Sequence, residues 1–425
     1  MKSIAISDPK VLAGTAKPSV FDGLGRRLVL SRLEGLAQGR LVLRDDGEEF
    51  TFGQPADEAE LSVDVTVHDR RFYGDIAFGG SLGAGEAYMQ GYWGCDDLTA
   101  LIQLLLRNRD VLDGMDGGAA RFTAPLAKLF HWVNRNTRDG SRRNIAAHYD
   151  LGNEFFKLWL DPTMMYSSAV FERPDATLFE GSVAKLERIC RKLDLKPTDH
   201  VVEIGTGWGG FALHAASRYG CRVTTTTISQ EQYELARERI AEAGLSDRVE
   251  LLLEDYRDLR GKYDKLVSIE MIEAVGHQFL DTYFAQCSRL LKDDGAMVLQ
   301  AITMQDQRYA EALKSVDFIK RYIFPGSFLP SVSAIAGSVA TSTDMKIFNL
   351  EDIGPHYATT LRMWRENFFD RIVEVSDQGY PEAFIRMWDY YLCYCEGAFL
   401  ERAIGDVQVL LTKPGYRGAP LTPSL

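Results

Sequence analysis

The stretch VVEIGTGWGG at residues 201–210 constrains the fold more than any other part of the chain, because an apolar strand runs straight into four glycines within six positions. Glycine lets the backbone turn through left-handed conformations and approach a ligand closely. A helix starting behind such a turn points its free N–H groups at whatever the turn holds. The segments that follow repeat the order strand, turn, helix: DHVVEI, RVTTTTI, RVELLL, YDKLVSIE and GAMVLQAI alternate with stretches such as EQYELARERIAEAG and LDTYFAQCSRLLKD. Strands alternating with helices predict an α/β fold with a mainly parallel sheet covered on both faces. A dinucleotide site would want an acidic residue about 20 positions on for the ribose hydroxyls. That region reads TTTTISQEQ, without a carboxylate before Glu231, which disfavours NAD.

The chain is 425 residues long, more than one ordinary domain needs. Its first 115 residues differ in texture from the rest. GRLVLRDDGEEFTFG (39–53) suits a hairpin around Asp-Asp-Gly, and LSVDVTVHD (61–69) alternates as a half-buried strand does. DDLTALIQLLLRNRDVL (96–112) has helical apolar spacing behind an Asp cap. A small α+β domain over 1–115 is expected, then a basic linker over 116–143 and a larger domain over 144–425. Between Arg121 and Arg143, the residues Arg121, Lys128, Arg135, Arg138, Arg142 and Arg143 face only Asp139, with Phe122, Phe130 and Trp132 interleaved. That mixture suits anionic lipid headgroups as well as it suits a solvated connector.

A formal net charge of −12 argues against nucleic acid as a partner. Apolar runs such as LTALIQLLL (98–106) fall far short of the roughly 20 residues that cross a bilayer. The first residues lack the apolar core of a secretory signal, so a cytoplasmic location is expected. Six cysteines lie scattered without a CxxC pair, which reads as reduced structural thiols and no metal site. Cys395, in an apolar helical stretch, reads as a small buried hydrophobe rather than a nucleophile.

The turn written E-I-G-T-G-W-G-G, with LLEDYRDL after the third strand, resembles the S-adenosylmethionine site of class I methyltransferases. The resemblance implies a Rossmann-like sheet of seven mostly parallel strands. Glu203, Gly205, Gly207 and Gly209 would then form the turn beside the methionine portion. Thr227 and Gln232 would serve the ribose, and Asp255 and Tyr256 would lie near the adenine. HYDLGNEFFKLWLDPTMMYSSAVF (148–171), EMIEAVG (270–276), YIFPGSFLPS (322–331), HYATTL (356–361) and YYLCYCEGAF (390–399) narrow this further. Together with GGSLGAGEAYMQGYWGCDDL (79–98), they resemble the cyclopropane fatty acid synthase family, which acts on double bonds inside phospholipid acyl chains.

That family resemblance implies a bicarbonate ion as bound base, caged here by Ser168, Glu273, Gln300, the backbone of Ile302, and Tyr357. Tyr166 and Ser167 would close over the methionine end of the cofactor, and His148 and Tyr149 would open the catalytic domain. Three positions depart from the pattern: Ser168 replaces a usual Cys, Gln300 a usual His, and Ala274 a frequent His. Serine can still donate from its hydroxyl, but Gln300 cannot gain a proton near neutral pH as histidine can.

Methyl transfer to an alkene leaves a cation whose fate depends on which proton leaves next. Loss from the new methyl closes a cyclopropane; loss from a chain carbon gives a methyl-branched or methylene product, which the substitutions at 168 and 300 leave open. A small-molecule methyltransferase and an inactive lipid-binding protein are the more distant readings. VDFIKRYIFPGSFLP (316–330), with Lys320 and Arg321 among aromatics, suggests an amphipathic mouth to a lipid tunnel. The expected partners are the phospholipid bilayer surface and its unsaturated acyl chains, with peripheral association at the inner face of the membrane. A homodimer is expected by family analogy.

Overall fold

The computed structural model describes residues 20–54, 61–117, 151–419 and 421. His148, Tyr149 and the basic residues from Arg121 to Arg143 lie outside them. The chain divides into two compact units. One comprises the chain up to Val133 with Ser315–Ile323 and Trp364–Ala403; the other comprises Asn134–Lys314, Phe324–Met363 and Ile404–Leu425. This differs from the expected division at 115 and 144, because two late segments cluster with the N-terminal part.

In the first unit, β1 (Gly39–Asp45) and β2 (Glu48–Gln54) pair antiparallel, with Asp45 opposite Glu48. Asp46 at φ 50° and Gly47 at φ 84° make the two-residue turn, whose left-handed residues match the twist of the strands. β3 (Ser62–Val67) runs parallel to β1, and β4 (Trp93–Cys95) completes a sheet of order β2-β1-β3-β4.

The helix Leu98–Arg107 is capped by Asp97, whose side chain accepts from Ala100 N at 2.9 Å. Where one helix was expected to 112, the chain breaks at Asn108 and a second helix covers Arg109–Gly117. Burial explains the break. Asn108 Oδ1 accepts from Ala37 N (2.8 Å) and Gln38 N (3.0 Å), while Nδ2 donates to Gln38 O and Leu104 O, both at 2.8 Å. Asn108→Ala is therefore expected to destabilise this unit by roughly 3 kcal/mol, since it removes four hydrogen bonds of one buried side chain at once. A shift below about 1 kcal/mol in denaturant melts would show that water replaces the amide.

The helix Glu382–Leu400 belongs to the same unit. A side chain at its Gly397 would meet Ile102 Cγ2 at 2.8 Å, so glycine lets the two helices touch. Segment 316–330, expected as an amphipathic mouth to a lipid tunnel, is buried or half-buried throughout. Phe318 is buried with its ring 4.6 Å from Tyr390, and Lys320 is buried, its Nζ donating to Ser315 O at 3.0 Å. Apolar burial of Phe318 and Ile323 overrides the basic pair beside them.

The second unit is built on β5 (His200–Ile204), β6 (Arg222–Thr227), β7 (Val249–Leu253), β8 (Tyr263–Ile269), β9 (Leu291–Met304), β10 (Lys346–Asp352) and β11 (Ile404–Thr412). Their order is β10-β11-β9-β8-β5-β6-β7. Strands β5 to β9 are mutually parallel and only β11 runs against its neighbours. This is the expected class I methyltransferase sheet. Helices cover both faces: Leu186, Ile189, Phe211 and Ala215 pack on one, Tyr283, Phe284, Ile335 and Val339 on the other. The strand order reverses between β5 and β8, which places a crevice outside their C-terminal ends. Every described candidate site residue lies in this unit.

Candidate active site

The glycine turn leaves β5 with Gly205, Gly207 and Gly209 at φ 98°, 53° and 86°, and the helix Gly210–Tyr219 starts behind it. The first two glycines have different reasons. A Cβ at Gly205 would lie 3.0 Å from Met271 Cγ, so glycine there admits the loop after β8. At Gly207 a Cβ would meet nothing within 4 Å. That open face is a cradle a side chain would fill, and it fits S-adenosylmethionine. Glu203 is buried beneath the turn, accepting from Thr225 Oγ1 at 2.6 Å, and Thr225 meets Thr206 Oγ1 at 2.7 Å. Burial pushes its carboxyl up to about 8. Glu203 thus braces the turn from below.

At the end of β6, Thr227 Oγ1 donates to Gln232 Oε1 at 2.8 Å, so the pair expected at the ribose is held as one unit. Beyond β7, Asp255 is clasped by Arg257 through Nε at 2.8 Å and Nη2 at 2.6 Å. Tyr256 packs its ring 5.6 Å from Tyr283. Tyr166 sits among Phe156, Trp159 and Phe324, at 5.5, 5.4 and 6.1 Å between ring centres. Ser167 Oγ accepts from Lys185 Nζ at 2.6 Å.

Three of the residues expected to cage bicarbonate converge instead on Glu270, which was not among them. Ser168 N, Gln300 Nε2 and Tyr357 OH donate to the carboxylate of Glu270 at 2.9, 2.7 and 2.7 Å. With three of their donors on Glu270, these residues do not fit a bicarbonate ion as they stand. The Ser168 hydroxyl, expected to donate into the site, instead donates to Ala169 O at 2.9 Å. Glu273, on the short turn Ile272–Ala274, accepts from Ile302 N at 2.6 Å through Oε1, and its Oε2 is buried without a partner. Burial, then the charge of Glu270, raises its carboxyl to about 8.

Two further residues complete the cluster. Asp406 on β11 stands opposite Ile302 in register, fully buried, accepting from Gln300 Nε2 at 3.1 Å. Burial first and then Glu270 and Glu273 push it well above the usual carboxylate range. Lys185, fully buried on the helix Leu178–Lys192, is lowered to about 8 by burial, opposed by Glu270, Asp406, Asp161 and Glu203. Gln300 Oε1 accepts from Gln408 Nε2 at 3.0 Å, and Gln408 Oε1 accepts from Lys192 Nζ at 2.8 Å. The side chains around the seat are thereby fixed. Asp406 and Lys185 carry a sequence signal: each is a charge inside an apolar pattern, in IGDVQVLLT and on the Ser182, Leu186, Ile189 face.

Such an arrangement offers negative charge to a developing cation and a carboxylate to a leaving proton, beside a cofactor cradle. All six cysteines are free, and the Cys395 thiol is pushed up by burial. Among the described residues no helix is long and apolar enough to cross a membrane.

The mycolic acid cyclopropane synthetase family matches residues 136–409. The chain is 40% identical over 345 residues to the tuberculostearic acid methyltransferase UfaA1 of Mycobacterium tuberculosis, covering 79% of this chain and 80% of that protein. It is 39% identical over 353 residues to the cyclopropane-fatty-acyl-phospholipid synthase of Escherichia coli K12, covering 83% and 88%. Among solved structures, mycolic acid cyclopropane synthase CmaA1 complexed with SAH and CTAB superposes with a TM-score of 0.60 at 31% identity, covering 64% of this chain and 98% of that one.

Proposed function

The chain belongs to the mycolic acid cyclopropane synthetase family, and from that premise we propose how it works: as an S-adenosylmethionine-dependent methyltransferase of the cyclopropane-fatty-acyl-phospholipid synthase type. Its substrate is the double bond of an unsaturated acyl chain in a membrane phospholipid. The observation that carries this reading is the meeting of two features at one end of the sheet. The open face of Gly207 and the carboxylate cluster are joined by Met271, which packs against Gly205 directly after Glu270.

S-adenosylmethionine supplies an electrophilic methyl group when bound. The chain's residues do the rest by positioning, because an alkene is a weak nucleophile. The glycine turn holds the methionine portion, the Thr227–Gln232 pair serves the ribose, and Asp255 and Tyr256 border the adenine. Tyr166, among its aromatic neighbours, shields the methionine end from water. Carboxylate charge near the seat favours the cation that forms on the acyl chain.

A second reading keeps cofactor and lipid but gives a methyl-branched product, favoured by the similarity to a tuberculostearic acid methyltransferase. The place of action is read as the inner face of the membrane, supported by the phospholipid substrate and the unpaired thiols. A homodimer rests on analogy with the family.

Mass spectrometry of vesicle phospholipids after incubation with methyl-deuterated S-adenosylmethionine tests the reading. The expected product is a ring that resists mild hydrogenation and keeps two of the three deuteriums. Retention of all three in a branched alkene selects the second reading. Absence of label from the lipid removes both.

A further inference from the structure

We propose that Glu270 is the proton acceptor of this reaction, its carboxylate filling the seat expected for bicarbonate, so that the chain carries its own base. This rests on the proposed function above.

Four observations carry it. First, a backbone N–H, a carboxamide and a phenol converge on this one carboxylate, from Ser168, Gln300 and Tyr357. Three donors from three separate segments make a built anion seat. Second, Glu270 holds φ at 46°, a left-handed conformation that glycine adopts freely and a glutamate does not. Its backbone N is pinned there by Gln300 O at 2.8 Å. Strain kept at a strand end beside a ligand cradle points to use.

Third, Glu270 is half-buried, open enough to reach a ligand, whereas Glu273 and Asp406 are buried. Fourth, those two neighbours each leave one oxygen without a partner, Glu273 Oε2 and Asp406 Oδ1. Burial favours their protonated forms, and a carboxyl already protonated cannot take the proton. Among the described residues no imidazole replaces them at the seat, where the chain has Gln300, and His356 Nδ1 accepts from Phe171 N at 3.2 Å.

The step balances without another reactant. Once the methyl group is on one alkene carbon, the other carries the positive charge. One C–H bond of that methyl breaks, its electron pair closes the second C–C bond of the ring, and the proton passes to a Glu270 oxygen. The carboxylate becomes a neutral carboxylic acid as the cation becomes a neutral cyclopropane. The acid then returns its proton to solvent.

The test uses the full chain, S-adenosylmethionine and dioleoyl-phosphatidylglycerol vesicles, in buffer purged of carbon dioxide and in buffer with added bicarbonate. Wild type is expected to run equally fast in both, while Glu270→Gln loses about 100-fold or more in rate, the scale of a lost general base. Calorimetry should show that the variant still binds S-adenosylmethionine. Glu270→Gly empties the seat and relieves the left-handed backbone, so it should fold, lose ring formation and regain at least about tenfold when formate or bicarbonate is supplied. A structural role alone would give no such rescue.

Wild type that needs added bicarbonate overturns the inference, as does a Glu270→Gln enzyme of undiminished rate. Lack of anion rescue in Glu270→Gly with cofactor binding intact also overturns it. If wild type labels no lipid under any condition, the functional reading fails instead.

Discussion

Replacing Gly207 by valine is expected to weaken S-adenosylmethionine binding by at least about 100-fold while the domain stays folded, a combined steric and backbone effect. The residue sits at φ 53°, and a Cβ there would enter open space rather than protein. Nothing in the packing forbids the side chain, so the cost to folding is local, on the order of 1–2 kcal/mol for a non-glycine residue held left-handed. The cost to binding is larger, because two methyl groups would occupy the space that the cofactor's methionine portion must cross. Gly244 supplies the control. It too is left-handed, at φ 66°, with nothing within 4 Å of a Cβ, but it follows the helix Gln230–Glu242 on the exposed surface. Gly244→Ala should cost comparable stability and leave affinity unchanged. Calorimetric titration with thermal melts separates the two effects. Binding by Gly207→Val within about fivefold of wild type, a difference of about 1 kcal/mol, would mean that the turn is not the cofactor's seat.

The sheet and the cofactor cradle were legible because they are written locally. Glycine at 205, 207 and 209 has few uses behind an apolar strand, and alternating strands and helices leave few topologies open. The carboxylate cluster was only half legible. EMIEAVG offers two glutamates three positions apart, and the motif directs attention to Glu273. Which one the donors face depends on the left-handed backbone at 270, and no periodicity encodes that. Asp406 joins the site only through the register of β11 on β9, about a hundred residues from Gln300 in the chain. The division into units differs from the expected one for a similar reason. Glu382–Leu400 follows the methyltransferase motifs in sequence, yet its Glu396 accepts from Thr99 Oγ1 at 2.9 Å.

Substituting methionine for Lys185 is expected to leave the protein as stable at pH 7 as wild type, or more stable, while lowering activity by about tenfold or more, because charges fixed near the reacting centre act strongly in a buried site. Removing one member of a buried ion pair usually costs about 3–5 kcal/mol, because the other charge is stranded. Here the balance runs the other way. Burial has already lowered Lys185 from 10.5 to about 8, so its charged form is disfavoured despite the surrounding carboxylates. That gap corresponds to a cost on the order of 3 kcal/mol at neutral pH. Glu203 and Glu273, raised to about 8, and Asp406, raised well above its usual range, are already held toward neutrality, and Glu270 keeps three donors of its own, so little charge is stranded. Between pH 8 and 10.5 the unfolded lysine binds a proton that the folded one has lost, so this residue's contribution to stability rises with pH across that window. Buried cysteines such as Cys190 and Cys287 act with the opposite sign in the same window, so the rise is read as the difference between the melts of wild type and Lys185→Met, which should grow in favour of wild type from pH 8 to 10.5. Activity falls for a separate reason: Ser167 loses its donor, and Glu270 loses the cation nearest in effect to its carboxylate. A variant that melts well below wild type at pH 7 would show that Lys185 is retained for stability rather than for the charge balance of the site.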